Sequence, residues 1–235
     1  MTTTCGIAPT VSGQIARGYG YGVGRTSRAR RLHAGMDFRA ARGEVVRAPW
    51  TGVVSLVASD SERGGALNGY GNAAVVYSRD LGIYWLFAHL AARPALVEGQ
   101  TVYTGQVLGL VGSTNNGKFR GMGAHLHLET ATRAWPKGYG QGNLDPAVVF
   151  ARIGLQVVQP PQSRPRLEQG GSCSPRPLTG LHYLADGPVP EAGEEYEPVD
   201  EVDEQGTSSA TPVVLLLAAA GLVAAFAIGA RAERR

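Results

Sequence analysis

The chain places four of its five histidines in three short motifs. His33 and Asp37 stand four residues apart in R-L-H-A-G-M-D-F, His89 ends the run Y-W-L-F-A-H, and His125 and His127 form the H-x-H pair of G-A-H-L-H-L-E. A zinc ion that catalyses hydrolysis usually takes three protein ligands from His, Asp or Glu and leaves its fourth position to water. The motifs supply enough imidazole and carboxylate groups for such a site, with histidines to spare for proton transfer.

The H-x-H pair has a simple geometric meaning if it lies on a strand. Successive strand side chains point to opposite faces, so His125 and His127 share one face while Leu126 and Leu128 pack into the core. Glu129 falls on the histidine face, where it either orients a metal-bound imidazole or is solvated. Each motif alone is weak evidence, because histidines at strand ends are commonly structural or polar surface groups. The combination of the three motifs carries the prediction.

The same alternation applies to the strand that ends at the second motif. It predicts that Trp85, Phe87 and His89 lie on one face of this strand, with the intervening residues on the other. Gly35, inside the H-x-x-x-D motif, gives the backbone freedom for a sharp approach to the site.

The region that carries the motifs is predicted to be all-β. Short runs rich in Val, Leu, Tyr and other strand formers alternate with Gly-containing turns, and no stretch shows a 3.6-residue apolar period. The candidate strands are Val45–Pro49, Gly52–Val57, Ala73–Tyr77, Ile83–Ala88, Val107–Val111 and His125–Glu129. We therefore expect one domain over residues 20–150, preceded by an N-terminal segment over residues 1–19.

The rest of the chain has a different composition. Residues 151–211 are rich in Pro, Gly, Ser and acidic residues, which favours a disordered linker. Val213–Ala230 is an uncharged run of 18 residues within a predicted transmembrane helix over residues 212–230, and a helix of that length reaches ~27 Å. A basic tail follows over residues 231–235. The N-terminus shows no secretory signal pattern.

Charge is distributed unevenly. Residues 1–160 carry 16 Lys and Arg against 8 Asp and Glu, whereas residues 161–210 carry 3 against 10. The basic part could attract an anionic wall polymer, an acidic membrane surface or nucleic acid, or it could be an ordinary solvated Arg-rich surface. Cys5 and Cys173 lack metal-ligand spacing, and they either form one disulfide or remain two free thiols.

The chain resembles the lysostaphin/LytM-type zinc endopeptidases of bacterial peptidoglycan. The matching stretches are H-A-G-M-D-F, A-P-W-T-G-V-V, the G-Y-G-N at residues 69–72, F-A-H-L, V-E-G-Q-T-V-Y-T-G-Q-V-L-G-L-V-G-S-T and G-A-H-L-H-L-E, which together cover roughly residues 20–150. The resemblance implies a compact antiparallel β-sandwich or half-barrel with a substrate groove. It also implies zinc ligands and catalytic groups at specific positions: His33, Asp37 and His127 as ligands of one Zn²⁺, His89 and His125 as catalytic histidines, and Tyr70 and Asn72 in the groove.

The functional prediction is a membrane-anchored zinc endopeptidase that cuts cross-bridge or stem-peptide bonds of peptidoglycan, with its catalytic domain facing the cell wall. Peptidoglycan and the membrane are the expected partners, and no nucleic acid is expected. One alternative is a virion-associated lysin of a bacteriophage, including a phage with an internal membrane, because a wall-directed enzyme here shows no export signal. A second alternative is a non-catalytic wall-binding regulator, which the intact set of five key residues disfavours.

Overall fold

A computed structural model describes residues 5–21, 32–62, 67–170 and 173 of the chain. Within these residues the elements, in chain order, are β1 (Ile15–Arg17), β2 (Gly20–Tyr21), β3 (Leu32–His33), β4 (Met36–Phe38), β5 (Val45–Arg47), β6 (Gly52–Ala58), β7 (Asn72–Ser78), β8 (Ile83–Leu90), β9 (Thr101–Val102), β10 (Val107–Leu110), β11 (Leu126–Ala131), β12 (Asn143–Leu144), α1 (Pro146–Arg152), β13 (Leu155–Val158) and β14 (Arg166–Gln169).

One antiparallel sheet of eight strands dominates the described residues. Its order is β1-β4-β11-β8-β7-β6-β9, and β12 pairs with the free end of β11. Three two-stranded sheets accompany it: β10 with β5, β13 with β14, and β2 with β3. The prediction of a mainly antiparallel β domain is therefore confirmed, and each of the six candidate strands overlaps an observed one. Because β11 lies between β4 and β8, the strands that carry the three histidine motifs are direct neighbours.

The central strands of this sheet are covered on both faces. Trp85 and Phe87 of β8 belong to the larger apolar cluster, while Leu86 and Ala88 belong to a smaller cluster on the other face. Phe150 of α1 packs on the larger cluster, with its ring centroid 5.6 Å from that of Trp85. The nearly continuous apolar run of β8 is what a strand buried on both faces requires.

The single described helix was not predicted. Asp145 caps α1 through a hydrogen bond from the Ala147 N–H to its side chain, and Pro146 occupies the first turn, where a missing N–H does no harm. Only seven residues long, α1 is too short to show a helical period clearly. Val149 and Phe150 are its buried anchors on the sheet.

The structured region is longer at both ends than the sequence suggested. β1 of the N-terminal segment pairs with β4, and β13 and β14 form a hairpin within the stretch predicted to be linker. Cys5 and Cys173 form a disulfide with their Cα atoms 5.5 Å apart, across 168 positions of sequence. The boundary predicted at residue 150 must therefore be corrected to at least residue 170, and the N-terminal segment belongs to the domain. Backbone hydrogen bonds and the disulfide hold this hairpin against the N-terminal segment, and the composition of the linker does not reveal these contacts.

No helix among the described residues is long and apolar enough to cross a bilayer. The predicted span Val213–Ala230, the basic tail and most of the predicted linker lie outside those residues.

Candidate metal centre

Three predicted ligands meet where the β3–β4 segment lies against β11. Asp37 of β4 and His127 of β11 are directly paired across the sheet, and His33 ends β3. The Asp37 Oδ1 atom lies 2.7 Å from His127 Nδ1 and 3.1 Å from His33 Nε2, and the two nitrogens are 3.3 Å apart. Among the described residues these three form the one group of His, Cys, Asp or Glu side chains arranged to hold a metal ion.

Gly35 makes this close arrangement possible by leaving room for β11. A Cβ atom at this position would stand 2.3 Å from the Leu128 carbonyl oxygen and 2.9 Å from Glu129 Cγ. Any side chain would therefore push β4 and β11 apart and separate the ligands that they carry. The sequence singled out Gly35 for its backbone freedom, whereas the structure requires it for space.

Both imidazole ligands are fixed by hydrogen bonds from the nitrogen that faces away from the cluster. His33 donates from Nδ1 to the Gly18 carbonyl oxygen at 2.7 Å. His127 donates from Nε2 to Glu129 Oε1 at 3.2 Å. Such partners fix the ring orientation and the tautomer of a metal-binding histidine. They leave His33 Nε2 and His127 Nδ1 as the atoms that could bind a metal ion.

Glu129 is fully buried and anchors a polar network behind the metal centre. Its carboxylate accepts hydrogen bonds from the Tyr70 hydroxyl at 2.5 Å and from Asn143 Nδ2 at 2.6 Å, and the Lys137 ammonium lies 3.6 Å away. Burial raises the pKa of Glu129, but the hydrogen bond from His127 and the nearby cationic groups outweigh it and lower the pKa to about 2. Glu129 is therefore an ionised carboxylate that orients the His127 ring. Because Glu129 is fully buried, the alternative that its side chain is solvated is excluded.

Lys137 and Asn143 were missed by sequence reasoning. They lie in an irregular stretch and in the two-residue strand β12, eight and fourteen positions after Glu129. No local pattern connects them to the histidine motifs. The Lys137 ammonium also lies 4.3 Å from the centroid of the Trp135 ring, and it hydrogen bonds to the Asn143 side chain, so its stem and its charge are both held in place.

The residues of this cluster fit zinc by donor type. Two imidazoles and one carboxylate are a common set of protein ligands for this ion. Burial raises the pKa of Asp37, but the charges and hydrogen bonds of His33 and His127 outweigh it and hold the pKa well below its usual value, so the carboxylate is ionised. Each imidazole also has the outer hydrogen-bond partner that metal-binding histidines require.

Zinc binding should strengthen as pH rises toward 9. Burial lowers the pKa of His127, but its hydrogen bonds with Asp37 and Glu129 outweigh this and raise the pKa to about 9. Binding through Nδ1 must displace that proton, so between pH 7 and pH 9 the zinc affinity should rise about tenfold per pH unit. Chelator competition at several pH values measures the slope. A zinc affinity that stays constant between pH 7 and pH 9 would show that His127 Nδ1 carries no proton that zinc must displace.

His89 reaches the site through an irregularity in β8. The pairing of β7 with β8 matches Ala74 to Phe87 but Asn72 to Leu90, so β8 contains one extra residue there. His89 has a φ of 61°, a left-handed conformation that is uncommon for histidine. Such bulges re-aim side chains near active sites. The prediction that Trp85, Phe87 and His89 share one face is therefore wrong for His89. Trp85 and Phe87 pack in the larger apolar cluster, and after the bulge Leu90, not His89, packs there with them.

Two contacts fix the orientation of the His89 ring and backbone. Its backbone N–H donates to the Tyr70 carbonyl oxygen at 2.8 Å, and its Nδ1–H donates to the Thr114 carbonyl oxygen at 2.8 Å. Burial, followed by the nearby His125 and His127, lowers the pKa of His89 to about 3. The ring is thus neutral near neutral pH, with a lone pair on Nε2.

His125 stands immediately before β11, beside His89. The two ring centroids are 4.8 Å apart, and His125 Nδ1 donates to the Gly123 carbonyl oxygen at 2.9 Å. His125 Nε2 is 3.9 Å from Asp37 Oδ1, and the side chain is 20% exposed. His125 therefore presents Nε2 at the accessible side of the metal cluster.

The two predicted groove residues differ in their surroundings. Tyr70 is partly exposed, its ring lies 5.8 Å from that of His127, and its hydroxyl bonds to Glu129. Asn72 is buried, and its amide bonds to the Asp60 N–H and to the Leu90 carbonyl oxygen. Tyr70 thus stands at the metal site, whereas the Asn72 side chain is used within the fold.

A sequence model of peptidase family M23 matches residues 31–139, the stretch that contains all five histidine-motif residues. The chain carries a peptidase family M23 domain. The chain is 36% identical over 130 residues to the DD-carboxypeptidase/endopeptidase Mpg of Neisseria meningitidis serogroup B, a match that covers 55% of this chain. The same match covers 27% of the length of that relative.

Solved peptidase structures are similar to this chain, and one of them reaches the similarity of a shared fold. The antimicrobial peptidase lysostaphin from Staphylococcus simulans superimposes with a TM-score of 0.50 at 22% identity, covering 77% of this chain and 63% of that one. A zinc containing peptidase from Vibrio cholerae matches with a TM-score of 0.45 at 23% identity, over 60% of this chain and 39% of that one.

Proposed function

We propose that this chain is a zinc metalloendopeptidase that hydrolyses peptide bonds of bacterial peptidoglycan. The observation that carries the proposal is the convergence of five residues within an M23 domain. Three of them, His33, Asp37 and His127, form the metal cluster, and His89 and His125 stand beside it with Nε2 available. The name of the Neisseria relative supports a peptidase substrate of this class.

His33, Asp37 and His127 would hold a zinc ion, which would supply Lewis-acid chemistry for polarising a carbonyl and acidifying bound water. His89 and His125 both turn Nδ1 to a backbone carbonyl, so each neutral ring offers Nε2 as a proton acceptor. The same atom, once protonated, can donate to the leaving amine or to negative charge that develops on the carbonyl oxygen. The backbone carbonyls hold both rings in the tautomer that this exchange requires.

The proposed activity is tested by digesting purified peptidoglycan with the full chain in detergent and identifying the released fragments by mass spectrometry. New amine and carboxyl termini in stem peptides or cross-bridges would support the proposal and identify the bond. Because the Neisseria relative is called a DD-carboxypeptidase/endopeptidase, stem-peptide bonds are examined first. Peptidoglycan that stays intact with zinc-loaded protein would contradict the proposed activity and favour the non-catalytic wall-binding alternative.

The proposal extends to location. A membrane span at Val213–Ala230 would anchor the domain, and an outward-facing domain would place it beside the cell wall. The disulfide between Cys5 and Cys173 supports the outward orientation, because disulfides persist in oxidising compartments. The alternative is a phage particle, whose lysin would meet the wall from outside.

Protease treatment of intact spheroplasts separates these locations. An anchored, outward-facing domain should be digested while a cytoplasmic marker protein survives. A domain that is fully protected until the membrane is opened would contradict the outward orientation and favour the phage alternative.

A further inference from the structure

Three segments of the chain meet behind His89. They are the turn after β6 at residues 59–62, the turn before β7 at residues 67–71, and the loop after β10 at residues 113–117. None of them contains a predicted ligand or catalytic group. Two of them, however, provide the only two hydrogen-bond acceptors described for His89: the Tyr70 carbonyl for its backbone and the Thr114 carbonyl for its ring.

His89 depends on these acceptors more than an ordinary strand residue would. Its φ of 61° is unfavourable for a side chain with a Cβ atom, and such a conformation persists only where the surroundings hold it. If the turn at Tyr70 and the loop at Thr114 moved apart, the backbone and the ring of His89 would no longer be held together. The position of His89 Nε2 is therefore set by the relative position of these two loops.

The two loops approach each other too closely for any intervening side chain. A Cβ atom on Gly71 would stand 2.2 Å from the Thr114 carbonyl oxygen, and φ at Gly71 is +65°. The Asn72 N–H donates to Thr114 Oγ1 at 2.9 Å. This contact brings the loops together but does not by itself fix the turn that contains Tyr70.

The side chain of Asn116 fixes that turn. Its Oδ1 atom accepts the N–H groups of Gly69 and Gly71 at 2.9 Å and 2.8 Å, on either side of Tyr70. Its Nδ2 atom donates to the carbonyl oxygens of Ser59 and Asp60 at 3.2 Å and 3.1 Å. A carboxamide can accept two hydrogen bonds and donate two, so all four are used between three segments.

The backbone of Asn116 is held in the same way. Its N–H donates to Asp60 Oδ1 at 2.5 Å, its φ is 57°, and the residue is 6% exposed. An asparagine tolerates the left-handed region better than most residues, since its short polar side chain can bond locally. The buried amide is thus a structural link whose loss would leave two glycine N–H groups without their acceptor.

We propose that Asn116 is a positioning residue for His89. It holds the turn at Tyr70 against the loop at Thr114, so that both carbonyl acceptors of His89 stay in place. Asn116 touches neither the metal ligands nor any reacting atom by the described contacts, and it acts only through these carbonyls. The inference rests on the proposed function in one respect, that His89 takes part in turnover.

The test is Asn116→Gly, which removes the amide without straining the left-handed backbone. Asn115→Gly is the matched control, because Asn115 is also buried but the hydrogen bonds given for its amide join it to the Phe119 backbone, four residues later, and not to the other two segments. In zinc-loaded protein, N116G should lower kcat on a peptidoglycan peptide by about 10- to 100-fold, in line with a misplaced catalytic group. Zinc affinity should stay within about threefold of the parent, and N115G should retain most of its turnover.

A double-variant comparison distinguishes positioning from general weakening of the fold. In a His89→Ala background, N116G should lower kcat little further, since the residue that it positions is gone. An equal fold-loss of kcat in both backgrounds, or no loss in the parent, would overturn the proposal. Asn116→Asp is the fallback variant if circular dichroism shows that N116G does not fold, because Asp keeps an acceptor for the two glycine N–H groups. N116D should lower kcat less than the 10- to 100-fold expected for N116G. If N116D lowers kcat by the same factor in the His89→Ala background as in the parent, the proposal is overturned.

A second readout needs no enzymatic activity. Nitrogen NMR of the His89 ring should show a protonated, hydrogen-bonded Nδ1 in the parent and in N115G. In N116G that signal should broaden or shift toward a mixture of tautomers. An unchanged His89 signal in N116G would overturn the positioning role, whereas an inactive parent with the expected NMR change would instead count against the proposed function alone.

Discussion

Replacing His33, Asp37 or His127 by Ala should abolish stoichiometric zinc binding and, with it, nearly all peptidase activity. Each residue supplies one of the three converging ligand atoms, and two ligands cannot retain the ion as three do. The loss of affinity should exceed the roughly 10- to 100-fold that is typical when an outer hydrogen-bond partner of a ligand is removed. His127→Ala should be the most severe, since it also leaves buried Glu129 without one of its donors.

Zinc per chain and chelator competition measure this prediction, with circular dichroism to confirm the fold. Glu129→Gln is the graded comparison, because it keeps the shape of the outer partner and should lose only that 10- to 100-fold of affinity. His182→Ala is the control, as His182 is the one histidine outside the three motifs. A His127→Ala protein with one tightly bound zinc and full activity would refute the ligand assignment.

The geometry of the H-x-H pair could be predicted because it depends only on the two-residue period of a strand. Leu126 and Leu128 are fully buried in the larger apolar cluster, and His127 with Glu129 occupies the opposite face, as the alternation requires. The pairing of β11 with β4 then brings His127 opposite Asp37. The local sequence determines which face of the strand each side chain occupies, whereas the pairing with the neighbouring strand determines which residues that side chain contacts.

The surroundings of His89 could not be predicted in the same way. The two-residue period that places Trp85 and Phe87 on one face of β8 would also place His89 there. One extra residue in β8 interrupts this period before His89. The bulge depends on carbonyl acceptors from two distant loops, and neither loop carries a local signature for that role. A periodicity argument fails where long-range hydrogen bonds determine the backbone conformation.

Long-range partners also explain why the domain limits were misplaced. Composition marks residues after 150 as linker, yet β14 is held by the N-terminal segment, with Leu167 N donating to the Gly13 carbonyl oxygen at 3.0 Å. The Cys5–Cys173 pairing joins the two ends of this region. The N-terminal segment also carries the Gly18 carbonyl that orients His33. Pairing between distant segments cannot be derived from the composition of either one.

Replacing His89 or His125 by Ala should leave zinc bound and lower kcat by about 10²- to 10⁴-fold, the usual contribution of a proton-transfer group. Neither ring supplies an atom to the three-residue cluster, and both direct Nδ1 to a backbone carbonyl, which leaves Nε2 for proton transfer. Steady-state kinetics on a defined peptidoglycan peptide, together with zinc content, measure the effect. KM should change much less than kcat, because the rings act on the reacting atoms.

The double variant tests whether the two histidines act as a unit. Groups that share one proton-transfer sequence are strongly non-additive, so removing both should lower kcat little more than the worse single variant does. Fully multiplicative losses would mean that the histidines contribute independently. The zinc content of His125→Ala tests whether His125 is a proton-transfer group or a metal ligand, since His125 Nε2 lies 3.9 Å from Asp37 Oδ1. Loss of the ion from that variant would make His125 a metal ligand and leave His89 as the sole proton-transfer histidine.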